Sequence, residues 1–393
     1  MSWLIDSYQT FRGYLWSDWF WLPYPVTWAE VRTYSKEYEA SSFLKRCLLV
    51  ASVLSVLRYV LTHFLFVPLG QHFGLRLPNR SSVAPNALLE STFSKTRRPS
   101  KETIQQVSEA LDMDPKAVEF WFHKRRNLSK TPVILKFSES GWKFCFYTTM
   151  FFYGVYVLHD KDYLYDTSLS LIGYPKHHMP TEIHWYYVIE LGYYLSELFW
   201  VFYGVRRSDF KVLIVHHMAT IGLLSFSYTT NYHRIGAIIL GLHDIADCWM
   251  ESAKMFKYLN RHQIAEVLFI IFVGVWVITR LTYFPFWVIH AVFKYGYPES
   301  GIYPVYALIV GWLLLLQFMH VYWFGLIVNI ALQLKTKGEA TQDCRSDSET
   351  SDELAYANGS HSPLEAKVNG FVLPDLRDGD QSLSHRTPTE FVK

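Results

Sequence analysis

The sequence is poor in several features on which soluble and secreted proteins depend. Only 18% of its 393 residues are charged, and the formal net charge of +2 gives no indication of a nucleic-acid partner. It has only four cysteines; Cys47, Cys145 and Cys248 lie in apolar stretches and Cys344 in the polar tail, so we expect no disulfide. None of its sixteen histidines has a partner at the HxxxH or HxxHH spacing of di-iron membrane hydroxylases. No repeat of fixed period occurs.

Hydrophobic residues, by contrast, make up half of the chain, and aromatic residues make up 18%. This composition is typical of the membrane class. Apolar stretches long enough to cross a bilayer as helices recur along the sequence. We therefore predict an all-α polytopic membrane protein with about seven transmembrane helices. The predicted spans are 43–67, 142–158, 185–204, 212–230, 234–253, 264–292 and 304–334, the last six within a membrane domain at 133–334.

Lysine and arginine predict the orientation of these spans, because short cytosolic loops are enriched in them. They follow the third, fifth and seventh spans, which places the C-terminus in the cytosol and the N-terminus in the lumen. Lys45 and Arg46, just before or at the start of the first span, argue weakly for the opposite orientation. The basic residues that carry the prediction are Arg206, Arg207, Lys211, Lys254, Lys257, Arg261, Lys335 and Lys337.

The N-terminal segment, residues 1–42, is rich in Trp and Tyr. It lacks the basic start and compact apolar core of a cleavable signal peptide. Two interpretations stay open: the segment lies as an amphipathic element at the headgroup layer, or it packs against the rest of the protein.

A stretch of ordinary soluble composition, residues 79–130, separates the first two predicted spans. It predicts a small cytosolic module of three helices. The segment "APNALLESTF" supplies the first helix, with Leu88, Leu89 and Phe93 facing inward. Ser100 is a suitable N-cap for the second helix, and Pro115 suits the first position of the third.

The third helix of this module resembles the recognition helix of a homeodomain, because Trp121 and Phe122 stand within a basic sequence. Homeodomains read adenine with an Asn two residues after that Phe, and here the position holds Lys124. No basic N-terminal arm precedes the module either. We therefore expect a scaffold or regulatory module without sequence-specific DNA binding.

The C-terminal tail, residues 335–393, is polar, acidic and without periodicity, and we expect it to be disordered. Ser346 and Thr350 each precede a glutamate by three residues, which fits an acidic-directed kinase of the casein kinase II type. Ser348 lies between them as a third candidate. A tail that only increases solubility is the alternative.

Six ionisable side chains stand in the apolar stretch 215–252, although each charged group in a membrane costs roughly 2.5–3.5 kcal/mol on insertion scales. His243, Asp247 and Glu251 follow one another at intervals of four residues and therefore share one face of a helix, with Lys254 near it. Asp244 points about 100° away from that face. A short turn makes the fourth and fifth spans antiparallel neighbours. The pair His216 and His217 should therefore meet the face of His243 and Asp247 at similar depth. The six residues are His216, His217, His243, Asp244, Asp247 and Glu251.

Three interpretations of these residues compete. One is a polar interface between helices, which explains a single histidine better than six groups. The second is a metal site, which the absent histidine boxes disfavour. The third, which we favour, is acid–base or nucleophilic chemistry on a lipid, with an Asp orienting an imidazole. Glu190 and Tyr194 in the third span and Arg280 in the sixth are further polar residues that could bind a substrate.

The segments "RRSDFKVLIVHHMATI" and "RIGAIILGLHDIADCWMESAKMFKY" resemble the signature region of ceramide synthases, within the larger group of TLC-domain proteins. The resemblance extends over almost the whole chain. It includes "PVILKFSESGWKFCFY", "YYVIELGYY", "TRLTYFPFW", the homeodomain-like module and the tail "DCRSDSE".

This resemblance implies a multi-pass enzyme of the endoplasmic reticulum membrane that transfers a fatty acyl group from acyl-CoA to the amine of a sphingoid base, giving dihydroceramide or ceramide. It implies acyl-CoA as co-substrate, no further cofactor, no metal, and homo- or hetero-dimers with other family members. A TLC-domain protein that senses, carries or scaffolds lipids without chemistry is the alternative. "ESAKMF" and "FPFW" look more like members that use very long acyl chains.

Two mechanisms are open. In the direct one, a histidine takes the amine proton while the nitrogen attacks the thioester. In the covalent one, His216 is acylated first and His217 and His243 handle protons. The resulting candidates are His216, His217, His243, Asp244 and Asp247 for catalysis; Glu190, Tyr194, Glu251, Lys254 and Arg280 for substrate binding; and Phe293, Tyr295, Tyr297 and Tyr303, in the connection 291–304, for acyl length.

Overall fold

The computed structural model describes residues 11, 13–14, 16–34, 40–77, 85–129, 131–203, 209–296 and 301–337. All regular secondary structure in these residues is helical. The chain divides into two units, Met1–Arg80 with Thr131–Glu349 and Ser81–Lys130 with Thr350–Lys393. The tail from residue 338 onward, including Ser346, Ser348 and Thr350, lies outside the described residues.

A long helix lies at each of the seven predicted spans. The segment expected at 142–158 belongs to a 26-residue helix. In chain order the helices are α1 (Asp18–Trp21), α2 (Trp28–Tyr34), α3 (Ala40–Leu61, continued by a π-helical turn Thr62–Phe66 and by Val67–His72), α4 (Ala87–Lys95), α5 (Lys101–Leu111), α6 (Pro115–Ser129), α7 (Val133–Leu158), α8 (Asp162–Tyr165), α9 (Thr181–Tyr203), α10 (Phe210–Thr229), α11 (His233–Tyr258), α12 (His262–Trp276, continued by the π-helical segments Val277–Ile289 and Val292–Gly296) and α13 (Pro304–Lys337).

Four of the long helices are long and apolar enough to cross a membrane by length and composition alone. They are the segments Ser42–His72, Phe210–Thr229, His262–Gly296 and Pro304–Gln333. The other three long helices, α7, α9 and α11, carry ionisable side chains such as Lys143, Glu197 and Asp247. A total of seven spans therefore stays a prediction.

The contacts between the long helices show that their directions alternate along the chain. α3 and α9 run parallel, because Arg46 contacts His184 near one end and Arg58 contacts Glu197 near the other. The helix between them in sequence, α7, runs the opposite way, since its Lys143 also lies 3.4 Å from Glu197. α10, α11 and α13 all contribute side chains to one apolar interior.

Aromatic side chains fill much of this interior. Tyr186, Tyr187 and Tyr193 on α9 are fully buried. The hydroxyl group of Tyr187 reaches the backbone of α11 at Gly236, where a Cβ atom would overlap it. Gly236 therefore permits α9 and α11 to pack closely, which places the polar residues of both helices side by side.

The described part of the N-terminal segment packs against the bundle with some of its aromatic side chains and exposes others. Trp21 in α1 is buried against Phe226 of α10, with 5.2 Å between the ring centroids. Trp19 and Tyr24, by contrast, point away from the protein, and Tyr24 is 96% exposed. One face of the segment thus packs against the bundle, and the other carries the aromatic side chains that suit a headgroup layer.

The second unit contains the three-helix module, α4 to α6. Asn86 caps α4 by accepting hydrogen bonds from the backbone of Leu88 and Leu89, and Ser100 caps α5 as expected. The expectation that Leu88 faces inward is wrong, since it is 39% exposed. Its neighbour Leu89 fills the core instead, because adjacent residues of a helix point about 100° apart. The core consists of Leu89, Phe93, Val107, Val118, Trp121 and Phe122.

Candidate active site

A cavity with mostly apolar walls is lined by residues of α9, α10, α11, α12 and α13. One end, the polar end, is lined by Tyr194, His216 and His243. The walls are apolar, and the opposite end, the far end, is lined by Tyr232, Val292 and Tyr306. His216 of the fourth predicted span and His243 of the fifth thus line the same cavity.

His216 and His217 are consecutive residues of α10 and consequently face different surroundings. The ring of His216 meets the ring of Trp323 edge to face at 5.2 Å. His217 is buried against Tyr194, and its Nδ1 donates a hydrogen bond to the carbonyl oxygen of Leu213 at 2.8 Å. The cavity is lined by His216 but not by His217.

His243 has hydrogen bonds at both ring nitrogens. Its Nδ1 lies 2.7 Å from the carbonyl oxygen of Ile239, one turn earlier in α11. Its Nε2 lies 3.1 Å from Nε2 of His320 in α13. We expected an aspartate to orient the imidazole, and for His243 the structure gives this place to a backbone carbonyl and a second histidine. His320 was missed because a lone histidine in an apolar span carries no spacing signal.

Asp247 pairs with Arg280 instead of with a histidine. Nη2 of Arg280 lies 3.1 Å from Oδ2 of Asp247 and donates to the carbonyl oxygen of His243 at 2.9 Å. The guanidinium group also lies over the ring of Trp276 at 4.3 Å. Asp247 is therefore connected to His243 only through Arg280, which binds the backbone of His243.

Asp244 projects toward α9, as its position in the helix predicts. It accepts a hydrogen bond from the hydroxyl group of Tyr186 at 3.2 Å. Glu190 of the same helix is fully buried beside it. Neither carboxyl group lines the cavity. The two acidic residues thus form a buried polar contact between α9 and α11.

The remaining candidates for substrate binding, Glu251 and Lys254, pair with each other at 2.8 Å. Neither lines the cavity. Glu197 of α9 lies 2.7 Å from Arg58. It is part of a network that also contains Lys143 and Glu139, 2.9 Å apart on α7.

Buried tyrosines close the far end of the cavity. The hydroxyl group of Tyr303 lies 2.7 Å from that of Tyr174 and 3.0 Å from that of Tyr232. The rings of Tyr174 and Tyr232 stack at 4.0 Å. The hydroxyl group of Tyr306 donates to the carbonyl oxygen of Val292 at 3.1 Å.

Of the residues expected to set acyl length, Tyr303 is therefore in contact with the wall of the cavity. Phe293 is 48% exposed, and neither it nor Tyr295 lines the cavity. Tyr297 lies outside the described residues. Tyr232 and Tyr306 take the place that the sequence assigned to Phe293 and Tyr295.

The cavity offers imidazole and phenol groups at one end of an apolar space, and no Asp or Glu side chain is among its lining residues. Among the described residues, no group of three or more His, Cys, Asp or Glu side chains is placed to hold a metal ion. An imidazole at the end of an apolar cavity can act as a base or a nucleophile toward the polar end of a lipid.

Comparison with known proteins supports a lipid-modifying membrane enzyme. Residues 136–329 match the TLC domain, and residues 80–131 match the homeodomain. The chain is 36% identical to human ceramide synthase 5 over 345 residues, covering 87% of this chain and 88% of the relative. It is 33% identical to human ceramide synthase 4 over 378 residues, covering 95% and 96%, and 34% identical to human ceramide synthase 3 over 387 residues, covering 97% and 98%. The chain belongs to the ceramide synthase family.

Proposed function

We propose that this acyltransferase takes a fatty acyl group from acyl-CoA and transfers it to the amine of sphinganine or sphingosine, in the membrane of the endoplasmic reticulum. The observation that carries this proposal is the cavity itself. It is apolar along most of its length, as an acyl chain requires, and presents Tyr194, His216 and His243 at one end. A thioester would lie at that end, with the acyl chain along the cavity.

In this reaction a C–N bond forms between the amine and the acyl carbon, and the C–S bond to CoA breaks. The amine loses one proton, and the thiolate of CoA takes one up. In the direct route, His216 accepts the amine proton and returns it to the thiolate. In the covalent route, an imidazole nitrogen of His216 first displaces CoA, and the amine then displaces the imidazole.

We assign either role to His216, which lines the cavity. Both ring nitrogens of His243 already have hydrogen-bond partners, Ile239 and His320. Incubation with acyl-CoA in the absence of a sphingoid base separates the two routes. The covalent route predicts a protein mass increased by one acyl group, located on the peptide that contains His216 and removed by added sphinganine. The direct route predicts an unchanged mass.

The length of the cavity bears on the acyl group. His216 and Ser227 both line it and are eleven positions apart on α10, which corresponds to about 16 Å. An extended acyl chain advances about 1.25 Å per methylene, so this distance holds about 13 of them, whereas 24 carbons reach about 30 Å, the thickness of the hydrocarbon core. A preference for very long chains, suggested by the sequence, therefore requires the tyrosines at the far end to move apart.

Replacing the connection 291–304 by that of a relative with a different chain preference tests this point. We expect a shift in product length without loss of turnover, because Tyr303 contacts Tyr232 in the cavity wall. Each added buried methylene contributes about 0.8 kcal/mol, so a small change in cavity length decides the preference. An unchanged product profile would place the determinant elsewhere.

Other parts of the proposal concern the whole chain. All seven long helices cross the membrane, with the N-terminus in the lumen and the C-terminus in the cytosol, as the alternating helix directions and basic loops favour. The homeodomain-like module is a scaffold, since Lys124 replaces the adenine-reading Asn. The chain forms homo- or hetero-dimers, and its tail is phosphorylated at Ser346, Ser348 or Thr350.

The activity itself is tested in microsomes from cells that lack endogenous ceramide synthases. The full chain is given sphinganine and acyl-CoAs of about 14 to 24 carbons, the longest of which reach about 30 Å, the thickness of the hydrocarbon core, and N-acylated products are measured by mass spectrometry. We expect products that depend on both substrates. Lipid binding without product would favour the non-enzymatic sensor or carrier.

A further inference from the structure

His320 of α13 is a fully buried histidine that the reaction described above does not use. Aromatic rings surround it, with Phe284 at 5.2 Å and Trp276 at 5.9 Å between ring centroids. Its Nε2 lies 3.1 Å from Nε2 of His243, the histidine at the polar end of the cavity. The two rings are 77 positions apart in the sequence and meet only because α11 and α13 pack together.

The contacts determine which nitrogen of each ring carries hydrogen. The carbonyl oxygen of Ile239 can only accept a hydrogen bond, so Nδ1 of His243 carries the hydrogen. A neutral His243 then has its lone pair on Nε2. A nitrogen–nitrogen contact of 3.1 Å requires one hydrogen between the atoms, so Nε2 of His320 is the donor. Nδ1 of His320, which has no hydrogen-bond partner among the described residues, carries the lone pair.

Without this donor, Nε2 of His243 would be a buried acceptor without a partner. Such an atom is costly, and a ring rotates to satisfy it where space exists. The space available to His243 is the cavity, which it lines. Charged neighbours hold only its backbone, since Arg280, paired with Asp247, binds the carbonyl oxygen of His243.

We propose that His320 is a positioning residue: by donating its Nε2–H to His243, it fixes the tautomer and the ring orientation of His243 at the polar end of the cavity. The expected effect on turnover rests on the proposed acyl transfer. The expected tautomers of His243 and His320 do not depend on it. His320 acts through His243 and does not contact the substrate.

Three substitutions of His320 separate the hydrogen bond from packing. His320→Gln places an amide N–H close to the original position of Nε2. His320→Asn carries the same amide one carbon shorter and cannot reach His243. His320→Leu keeps an apolar side chain and has no donor. Because a misplacement of about 1 Å can cost about 100-fold in rate, we expect kcat to fall about 10- to 100-fold for Asn and Leu. Gln should stay within about 3-fold of the wild type, and KM for both substrates should change little.

Two results would overturn the proposal. One is near wild-type kcat for the Leu and Asn variants. The other is a Gln variant that is folded and membrane-inserted yet as slow as Asn. If Asn and Leu fail to accumulate, the Gln variant still decides, because it alone keeps the donor.

A second measurement does not depend on turnover. Solid-state NMR of the ¹⁵N-histidine-labelled full chain in bilayers distinguishes ring nitrogens with and without hydrogen. The spectrum of His320→Gln should lack one Nε2–H signal and one unprotonated Nδ1 signal that the wild type shows. If the Nδ1 signal that is lost belongs to a protonated nitrogen, the proposal is contradicted. Absent turnover in the wild type, with the expected tautomer present, would count against the proposed function alone.

Discussion

At the scale of single residues, similar side chains have different roles because their surroundings differ. His216 lines the cavity, whereas its neighbour His217 turns to Tyr194 and the backbone of α10. Asp244 and Asp247 are three positions apart and contact different helices, Asp244 the tyrosine Tyr186 and Asp247 the arginine Arg280. Identity of residue type therefore does not imply identity of function within this site.

We expect His216→Ala to abolish acyl transfer, lowering kcat by at least about 1,000-fold, because both routes need its imidazole. His217→Ala, which removes a buried ring beside the site, should also be severe. The measurement is product formation from sphinganine and acyl-CoA at equal amounts of membrane protein. His290→Ala is the matched control, since His290 is exposed on α12. A His216→Ala protein with near wild-type activity would refute the assignment.

Asp247→Asn should lower kcat about 10- to 100-fold, because it leaves the buried Arg280 without a negative partner. Arg280 would then hold the backbone of His243 less firmly. The double variant Asp247→Asn with Arg280→Gln should lose less than the product of the two single losses, since both remove one interaction. Independent losses, measured in the same assay, would show that the pair does not act as a unit.

At the scale of helices, buried ion pairs join elements that are distant in the sequence. Arg58 of α3, Lys143 and Glu139 of α7, and Glu197 of α9 form a network of two cations and two anions. Its formal charge is zero, so each buried charge is balanced. Arg58 also lies over the ring of Trp200 at 4.8 Å. The network thus attaches the first long helix to the bundle.

Arg58→Met should destabilise the protein by about 3–5 kcal/mol, because it leaves one uncompensated negative charge in the network. The double variant Arg58→Met with Glu197→Gln restores a formal charge of zero and should recover part of this loss. Thermal unfolding in detergent measures both. Lys45→Met is the control, since Lys45 is exposed on the same helix. A double variant less stable than either single one would contradict charge balance as the cause.

At the scale of the whole molecule, the segment between α7 and α9 covers one end of the bundle. The side chain of Asn231, in the turn between α10 and α11, donates to the carbonyl oxygens of Pro175 and His177. Asn231 has a φ of 69°, a left-handed conformation that Asn tolerates better than most residues. These bonds connect the segment to the turn that carries Tyr232 and hence to the far end of the cavity.

His177 makes the stability of this segment depend on pH. Burial lowers the pKa of His177 to about 4, although its hydrogen bond with the carbonyl oxygen of Ile172 acts in the opposite direction. The unfolded chain, with a pKa of about 6.5 at this position, binds a proton first as the pH falls. Stability is therefore fully present above about pH 6.5 and is lost progressively toward pH 4, by about 2 kcal/mol at pH 5.

We expect the melting temperature of the wild type to fall more between pH 7 and pH 5 than that of His177→Gln, which cannot titrate. His178→Gln, at an exposed neighbouring position, should behave as the wild type does. Equal pH dependence of His177→Gln and wild type would contradict the assignment to His177.

The sequence by itself determined the helices and the N-cap Ser100 of α5, and it pointed to His216 and His243, which line one cavity. A membrane requires about 20 apolar residues per crossing and satisfied backbone groups, so spans are visible in composition. A short turn forces α10 and α11 together. Only the tertiary structure decided the contacts of His320, the network around Glu197 and the tyrosines at the far end. These join helices far apart in the chain, and a helix that is apolar on all sides gives no periodic signal of which face turns inward.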